Sequence, residues 1–176
     1  MIRLATTDDL DDILALYATA RRFMAQNGNP TQWGDTYPAR ELLEQDIRMG
    51  ELFVDTQDGG IHGVFVFTTR PEPTYAVIED GAWMNDAPYG TIHRIASDGT
   101  AKGVFGRCVA FCLQKTANLR IDTHHDNRPM RHLIEKHGFV RCGVITVADG
   151  SPRIAYQLLP CPVAGDERLL LEGNRL

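Results

Sequence analysis

Ile92-His93-Arg94-Ile95-Ala96-Ser97-Asp98-Gly99-Thr100-Ala101-Lys102-Gly103-Val104-Phe105-Gly106-Arg107 is the stretch whose reading decides the fold. Its first half predicts a strand over Thr91–Ser97, and its second half opens a helix over Gly103–Ala117. Phe105, Cys108, Val109, Cys112 and Thr116 fall on one face of that helix. A strand, a loop and a helix with glycines at its start present unpaired backbone N–H groups at a positive dipole end. That arrangement suits a pyrophosphate. Lys102 and Arg107 add positive charge. The spacing matches neither Gly-x-x-x-x-Gly-Lys-Ser/Thr nor Gly-x-Gly-x-x-Gly, which argues against nucleotide hydrolysis and a dinucleotide-binding fold.

Working outward toward the C-terminus, Leu119–Thr123 reads as a short strand. Asp126 or Asn127 then caps a helix holding Met130, Leu133 and Ile134, which Gly138 stops. Val140–Val147 and Arg153–Leu158 form a hairpin around Asp149-Gly150. Toward the N-terminus, Ile2–Ala5 is a strand and Thr6-x-x-Asp9 starts a helix reaching Ala25. Leu10, Ile13, Leu14, Tyr17 and Met24 recur in it at helical spacing. Gln26–Tyr37 is a loop rich in Asn, Gly and Pro, and Pro38–Met49 is a second helix ended by Gly50. Leu52–Thr56 and Ile61–Thr69 flank Asp58-Gly59-Gly60 as a hairpin, and Tyr75–Ile78 reads as a further strand. There is no internal repeat. The order implies one α+β domain around a mixed sheet over residues 1–160, with 161–176 as a tail or peripheral helix.

The chain has 176 residues, 43% of them hydrophobic, which suffices for one core without staples. No apolar run approaches the ~20 residues of a membrane span. The start turns acidic at Asp8-Asp9 where a signal peptide is apolar, and four cysteines without such a signal read as reduced thiols. A cytoplasmic location is the expectation, with no membrane partner. The net charge of −5 argues against a general nucleic-acid binder. That sum conceals a polarity, because residues 1–98 carry −9, 99–141 carry +5 and 142–176 carry −1. The basic stretch coincides with the proposed phosphate loop. The acidic half predicts preference for a cationic amine on the opposite side.

The segment from Ile92 to Phe139 resembles the GNAT superfamily of acyl-CoA-dependent N-acetyltransferases. The resemblance rests on the strand and glycine loop, on Asn127 near a helix start, and on Glu135-Lys136-His137-Gly138-Phe139 leading into a hairpin. It implies a single-domain GNAT-like α+β fold: a mixed, mostly antiparallel sheet flanked by helices, with splayed central strands. It implies acetyl-CoA as co-substrate, its arm paired with the main chain of Ile95 and Ser97. The pyrophosphate would lie on the amides of Lys102, Gly103, Val104, Phe105, Gly106 and Arg107, with Asn127 facing the arm. The implied reaction is direct attack by a primary amine of a small molecule or peptide on the thioester. The other reading is a non-catalytic acyl-CoA-binding or regulatory module of the same fold. Two departures bear on that choice. Only Gly103 matches the family's usual loop glycines, with Gly106 offering room nearby, and Ile134 stands where many members have a proton-donating Tyr.

Candidate side chains follow from position. His93 lies on the strand beside the implied thioester, where an imidazole relays protons near neutral pH. Glu79 is a candidate base acting through water, with Asp80 adjacent. Trp33 and Tyr37 are candidates for the walls of a substrate pocket. Asp122 and His124 share a strand face, but no zinc-type spacing accompanies them, so no metal is expected. Cys108 and Cys112 are small apolar core residues. A homodimer stays open.

Overall fold

The computed structural model describes residues 1–159. The expected tail of 161–176 lies outside them. Seven strands form one sheet in the order β1-β2-β3-β4-β5-β7-β6. They are β1 (Ile2–Leu4), β2 (Leu52–Gln57), β3 (Gly60–Thr68), β4 (Gly90–Ser97), β5 (Leu119–Thr123), β6 (Val140–Thr146) and β7 (Pro152–Leu158). Every neighbouring pair is antiparallel except β4 and β5. Four helices accompany them: α1 (Leu10–Gln26), α2 (Arg40–Arg48), α3 (Val104–Leu113) and α4 (Arg128–Lys136). This is the expected α+β architecture.

Alternation along the strands divides the core into two faces. Phe53, Phe65, Ile92, Leu119, Ile121 and Tyr156 pack with Phe105, Cys108 and Cys112 of α3 and with Ile134 of α4. Val54, Val64, Val66 and Ala96 turn the other way, onto Ile13, Leu16 and Tyr17 of α1 and Leu43 of α2. Tyr75, from the long connection 69–89, packs with Ile145 and Ala155 of the C-terminal strands, and Trp83 and Tyr89 rest against that cluster. Arg120 pins the connection. Its guanidinium carbon lies 4.0 Å from the Trp83 ring centre and 3.9 Å from that of Tyr89, while Nη2 donates to the Asn85 carbonyl.

That connection corrects the expected strand at Tyr75–Ile78. Pro73–Tyr75 is a single helical turn, capped by the Glu72 carboxylate accepting from the Thr74 amide. Proline suits a helix start and withholds a ladder donor. Only Glu79 pairs as a strand would, through an isolated bridge to Val144. Helix α3 ends at Leu113 rather than Ala117. The amides of Lys115 and Thr116 both turn back to the Cys112 carbonyl there.

Two local features set up the centre of the sheet. β4 and β5 pair only at Gly90↔Leu119 and Thr91↔Arg120, and beyond that point they part. On its other edge β4 carries an extra residue, because Val66 faces His93 while Val64 faces Ala96. Within this bulge Arg94 adopts φ +50°, a conformation costly for a side-chain-bearing residue. Contacts from three elements hold it there. Tyr17 Oη donates to its carbonyl, and its guanidinium donates to Asp46 Oδ2 at 2.6 Å and to Tyr37 Oη at 3.3 Å.

Candidate active site

The parted strands open a cleft of about 830 Å³. Ile92, His93, Ile95 and Ser97 line it from β4, Ile121 and Asp122 from β5, and Asn127, Met130 and Leu133 from the α4 side. Because β5 pairs with β4 only at its start, the β4 edge from Ile92 to Ser97 faces the cleft without a strand partner on that side. Backbone groups left so are open to a ligand.

His93 lies in this cleft, and its Nε2 is 3.2 Å from Glu72 Oε2. The His93 imidazole beside Glu72, helped by the Thr74 amide and hydroxyl, holds that carboxyl down at about 2 against the usual 4.5. With Nε2 against a carboxylate, the neutral ring carries its proton there, which leaves Nδ1 as the basic nitrogen. Deeper in the same wall, Tyr75 Oη donates to Asp122 Oδ1 at 2.7 Å. Burial pushes the Asp122 carboxyl up and the Tyr75 phenol well up.

Glu79 does not join this group. It is exposed, and it touches a separate small hollow beside Val144 and Thr146. The carboxylate that meets His93 is Glu72, which sequence reasoning missed. Its only local signal was the run Glu72-Pro73-Thr74, a capping pattern with no periodicity around it. Trp33 and Tyr37 line the cleft. Trp33 packs edge-on against Tyr17 with ring centres 5.5 Å apart, so it also plugs the α1 core.

Asn127 lines the cleft and caps α4, its Oδ1 accepting from the Met130 amide at 3.2 Å. Its Nδ2 donates to Gln32 Oε1, tying the 27–38 loop to α4. The glycine loop continues from the cleft's end at Asp98 and Gly99. His62 Nδ1 lies 2.9 Å from both Asp98 Oδ2 and Thr100 Oγ1, which fixes the entry to the loop. Gly103 takes φ +74° as the helix N-cap, so a residue with no Cβ is needed for an unstrained turn. Val104, Phe105 and Gly106 hold the first helical positions, whose amides have no partner within the helix.

Arg107 departs from expectation twice. Its amide donates to the Gly103 carbonyl at 3.1 Å, so it is no free donor. Its half-exposed guanidinium pairs with buried Asp55 at 2.7 Å and donates to the Lys102 carbonyl, so its charge already has a partner. Gly106 departs once: a Cβ there would sit 2.9 Å from His137 Nε2, so its room is already taken by the imidazole. Nor does the basic stretch form one surface, since Arg120 is buried under the 69–89 connection at the other end of β5.

The polar run after β5 also rearranges. Asp122 turns to Tyr75, whereas His124, His125 and Asp126 bring one ligand-type atom each within 4.8 Å of one another. The Asp126 amide donates to His124 Nδ1, so that nitrogen is already engaged. Ile134, at the position of the family's Tyr, is fully buried in the core with Tyr156. Among the described residues, no helix is long and apolar enough to cross a membrane.

A scan against family models finds no match, and neither does a search of curated proteins. Solved structures do match. A GNAT-family acetyltransferase from Streptococcus agalactiae 2603 is 32% identical, with TM-score 0.79, covering 90% of this chain and 94% of its own. The chain belongs to the GNAT family. Two more distant structures share the fold of this GNAT protein. YncA from Salmonella typhimurium, determined with its cofactor acetyl-CoA, is 15% identical, with TM-score 0.59 and coverage of 96% and 98%. GphF, a GNAT-like decarboxylase in complex with isobutyryl-CoA, is 14% identical, with TM-score 0.63 and coverage of 90% and 98%. The family assignment supports acyl transfer as the general chemistry.

Proposed function

We propose that this GNAT protein is an N-acetyltransferase that moves an acetyl group from acetyl-CoA onto a primary amine of a small molecule or peptide. The observation that carries the reading is the Glu72–His93 pair beside the unpaired edge of β4, in one cleft. Acetyl-CoA supplies a thioester carbonyl at which an amine forms a C–N bond as the C–S bond breaks. The β4 edge at Ile95 and Ser97 would hold the arm by main-chain hydrogen bonds. The amides from Lys102 to Gly106 would take the diphosphate, without Arg107. Asn127 would face the arm while keeping its cap.

His93 would accept the amine's proton on Nδ1. Glu72 would orient the ring through Nε2 and balance the charge of the imidazolium that results. Trp33 and Tyr37 would border the acceptor's entrance. Catalysis then rests on positioning and on proton removal, since buried Ile134 has no proton to give. The test is release of free CoA thiol from acetyl-CoA with a panel of primary amines. Amine-dependent release supports the reading. Tight CoA binding with no release above buffer across the panel would make the protein an acyl-CoA-binding module instead.

A further inference from the structure

Among the described residues, the buried arginines differ in how their charge is met. Arg94 pairs with Asp46, and Arg120 lies between two aromatic rings. Arg153 has neither. It is 7% exposed and lines the cleft, yet it makes no salt bridge with any carboxylate among the described residues. Its Nη1 donates to Ser151 Oγ at 2.7 Å and to the Pro152 carbonyl at 3.2 Å. Nε and Nη2 make no hydrogen bond among the described residues and are not fully buried, so they stay open to a ligand. Asp122 and Asp149 feel its charge but stand beyond salt-bridge distance, so the guanidinium has a direct partner still to gain from an anionic ligand in the cleft.

Its place on the sheet says which ligand. Along β7, Arg153 alternates with Ile154, so it shares a face with Ala155 and Gln157. That face looks toward the 69–89 connection, away from α3 and α4. Ala155 pairs with Asp122 across the sheet, and Arg153 is two residues, roughly 7 Å, further along the strand. Tyr75, whose Oη donates to Asp122, lies with its ring centre 6.4 Å from that of His93, and His93, Asp122 and Arg153 all line the cleft, so the three groups share one wall. An ammonium is favoured beside Asp122 and Glu72, and an anion is favoured beside Arg153.

We propose that Arg153 is a specificity-determining residue that binds a carboxylate on the acceptor, so that the acceptor is a small amine bearing a carboxylate. The inference rests on the acetyl-transfer reading above. Guanidinium and carboxylate match as a planar, charge-assisted pair, which a neutral amide does not reproduce.

The experiment compares amino acids with their amides as acceptors in the wild type, Arg153→Gln and Arg153→Lys, using the full chain. The amide also stands for a peptide N-terminus. The wild type should prefer the acid by about 10- to 100-fold in kcat/KM, mainly through KM. Arg153→Gln should shrink that ratio to about threefold or less, and Arg153→Lys should retain part of it. A ratio of acid to amide near one in the wild type would overturn the proposal and point to peptide or neutral amines. A ratio that Arg153→Gln leaves intact would overturn it equally. If the wild type acetylates nothing in the panel, the acetyl-transfer reading fails. Calorimetric titration of the same acids into the CoA-saturated protein then decides the carboxylate site alone. Binding that weakens about tenfold or more in Arg153→Gln upholds it, and absence of binding or equal binding overturns it.

Discussion

The two walls of the cleft recognise by different means. On the side of α3 and α4, the lining includes Ile121, Met130 and Leu133, the edge of β4, and the amide side chain of Asn127. Beyond the cleft, at the start of α3, the Arg107 guanidinium is paired with Asp55. On the side of the 69–89 connection and β7, the lining gathers Glu72, His93, Asp122 and Arg153. A wall of backbone groups and apolar surface suits a ligand whose shape stays the same. A wall of charged side chains is where one protein comes to differ from another in what it selects. Under the proposed function, the difference teaches that the acceptor, rather than the cofactor, would be written in this chain's particular residues.

Substitutions on each wall can break that division. The largest expected effect is at His93, where His93→Gln should lower kcat about 100-fold or more at neutral pH, with a much smaller change in the KM for acetyl-CoA. Steady-state kinetics with a fixed acceptor checks this, and an equal loss in acetyl-CoA affinity would erase the distinction between the walls. Next, Gly103→Asp should weaken acetyl-CoA binding about 10-fold or more by strain at a positive φ and like charge near the diphosphate. Titration calorimetry reads the affinity, and an unchanged value in a folded variant would move the diphosphate elsewhere.

A third substitution sharpens the comparison by separating support from chemistry. Arg120→Leu should cost about 2 kcal/mol in urea unfolding, through lost stacking on Trp83 and Tyr89 and a lost bond to the Asn85 carbonyl. The smallest effect is acidic. The Glu72 carboxyl lies at about 2 in the fold against 4.5 ordinarily. Its pairing therefore contributes fully above pH 4.5 and fades as the pH falls toward 2. Solvent screening keeps the contribution at about 1 kcal/mol or less. Stability curves of Glu72→Gln and wild type should thus converge on acidification. Parallel curves would show that the pair adds nothing to stability.

Local signals carried the elements that the structure keeps. The hairpin at Asp58-Gly59 has positive φ at both residues, as the dipeptide demands, and Asn127, one of the two expected caps beside Asp126, caps α4. Signals failed where a partner lay far along the chain. Glu72 meets His93 from 21 residues away, on a connection with neither helical nor strand periodicity, so Glu79 looked the better base. Arg107 looked like a phosphate arm because Asp55, its counter-ion, lies 52 residues earlier. Arg153 read only as part of a strand. The clue was that it shares one face of the strand with Gln157, a second polar residue buried there.

Outside the 69–89 connection, the sequence by itself determined the order of the strands and helices, the glycine turn into α3 and the GNAT likeness, because those depend on periodicity and on residues close in the chain. The tertiary structure alone decided which charges are spent and which remain. That follows from electrostatics: a charged group's role depends on what lies within a few ångströms and on how much water is excluded. Neither quantity exists until β4 and β5 part and the 69–89 connection closes over β7.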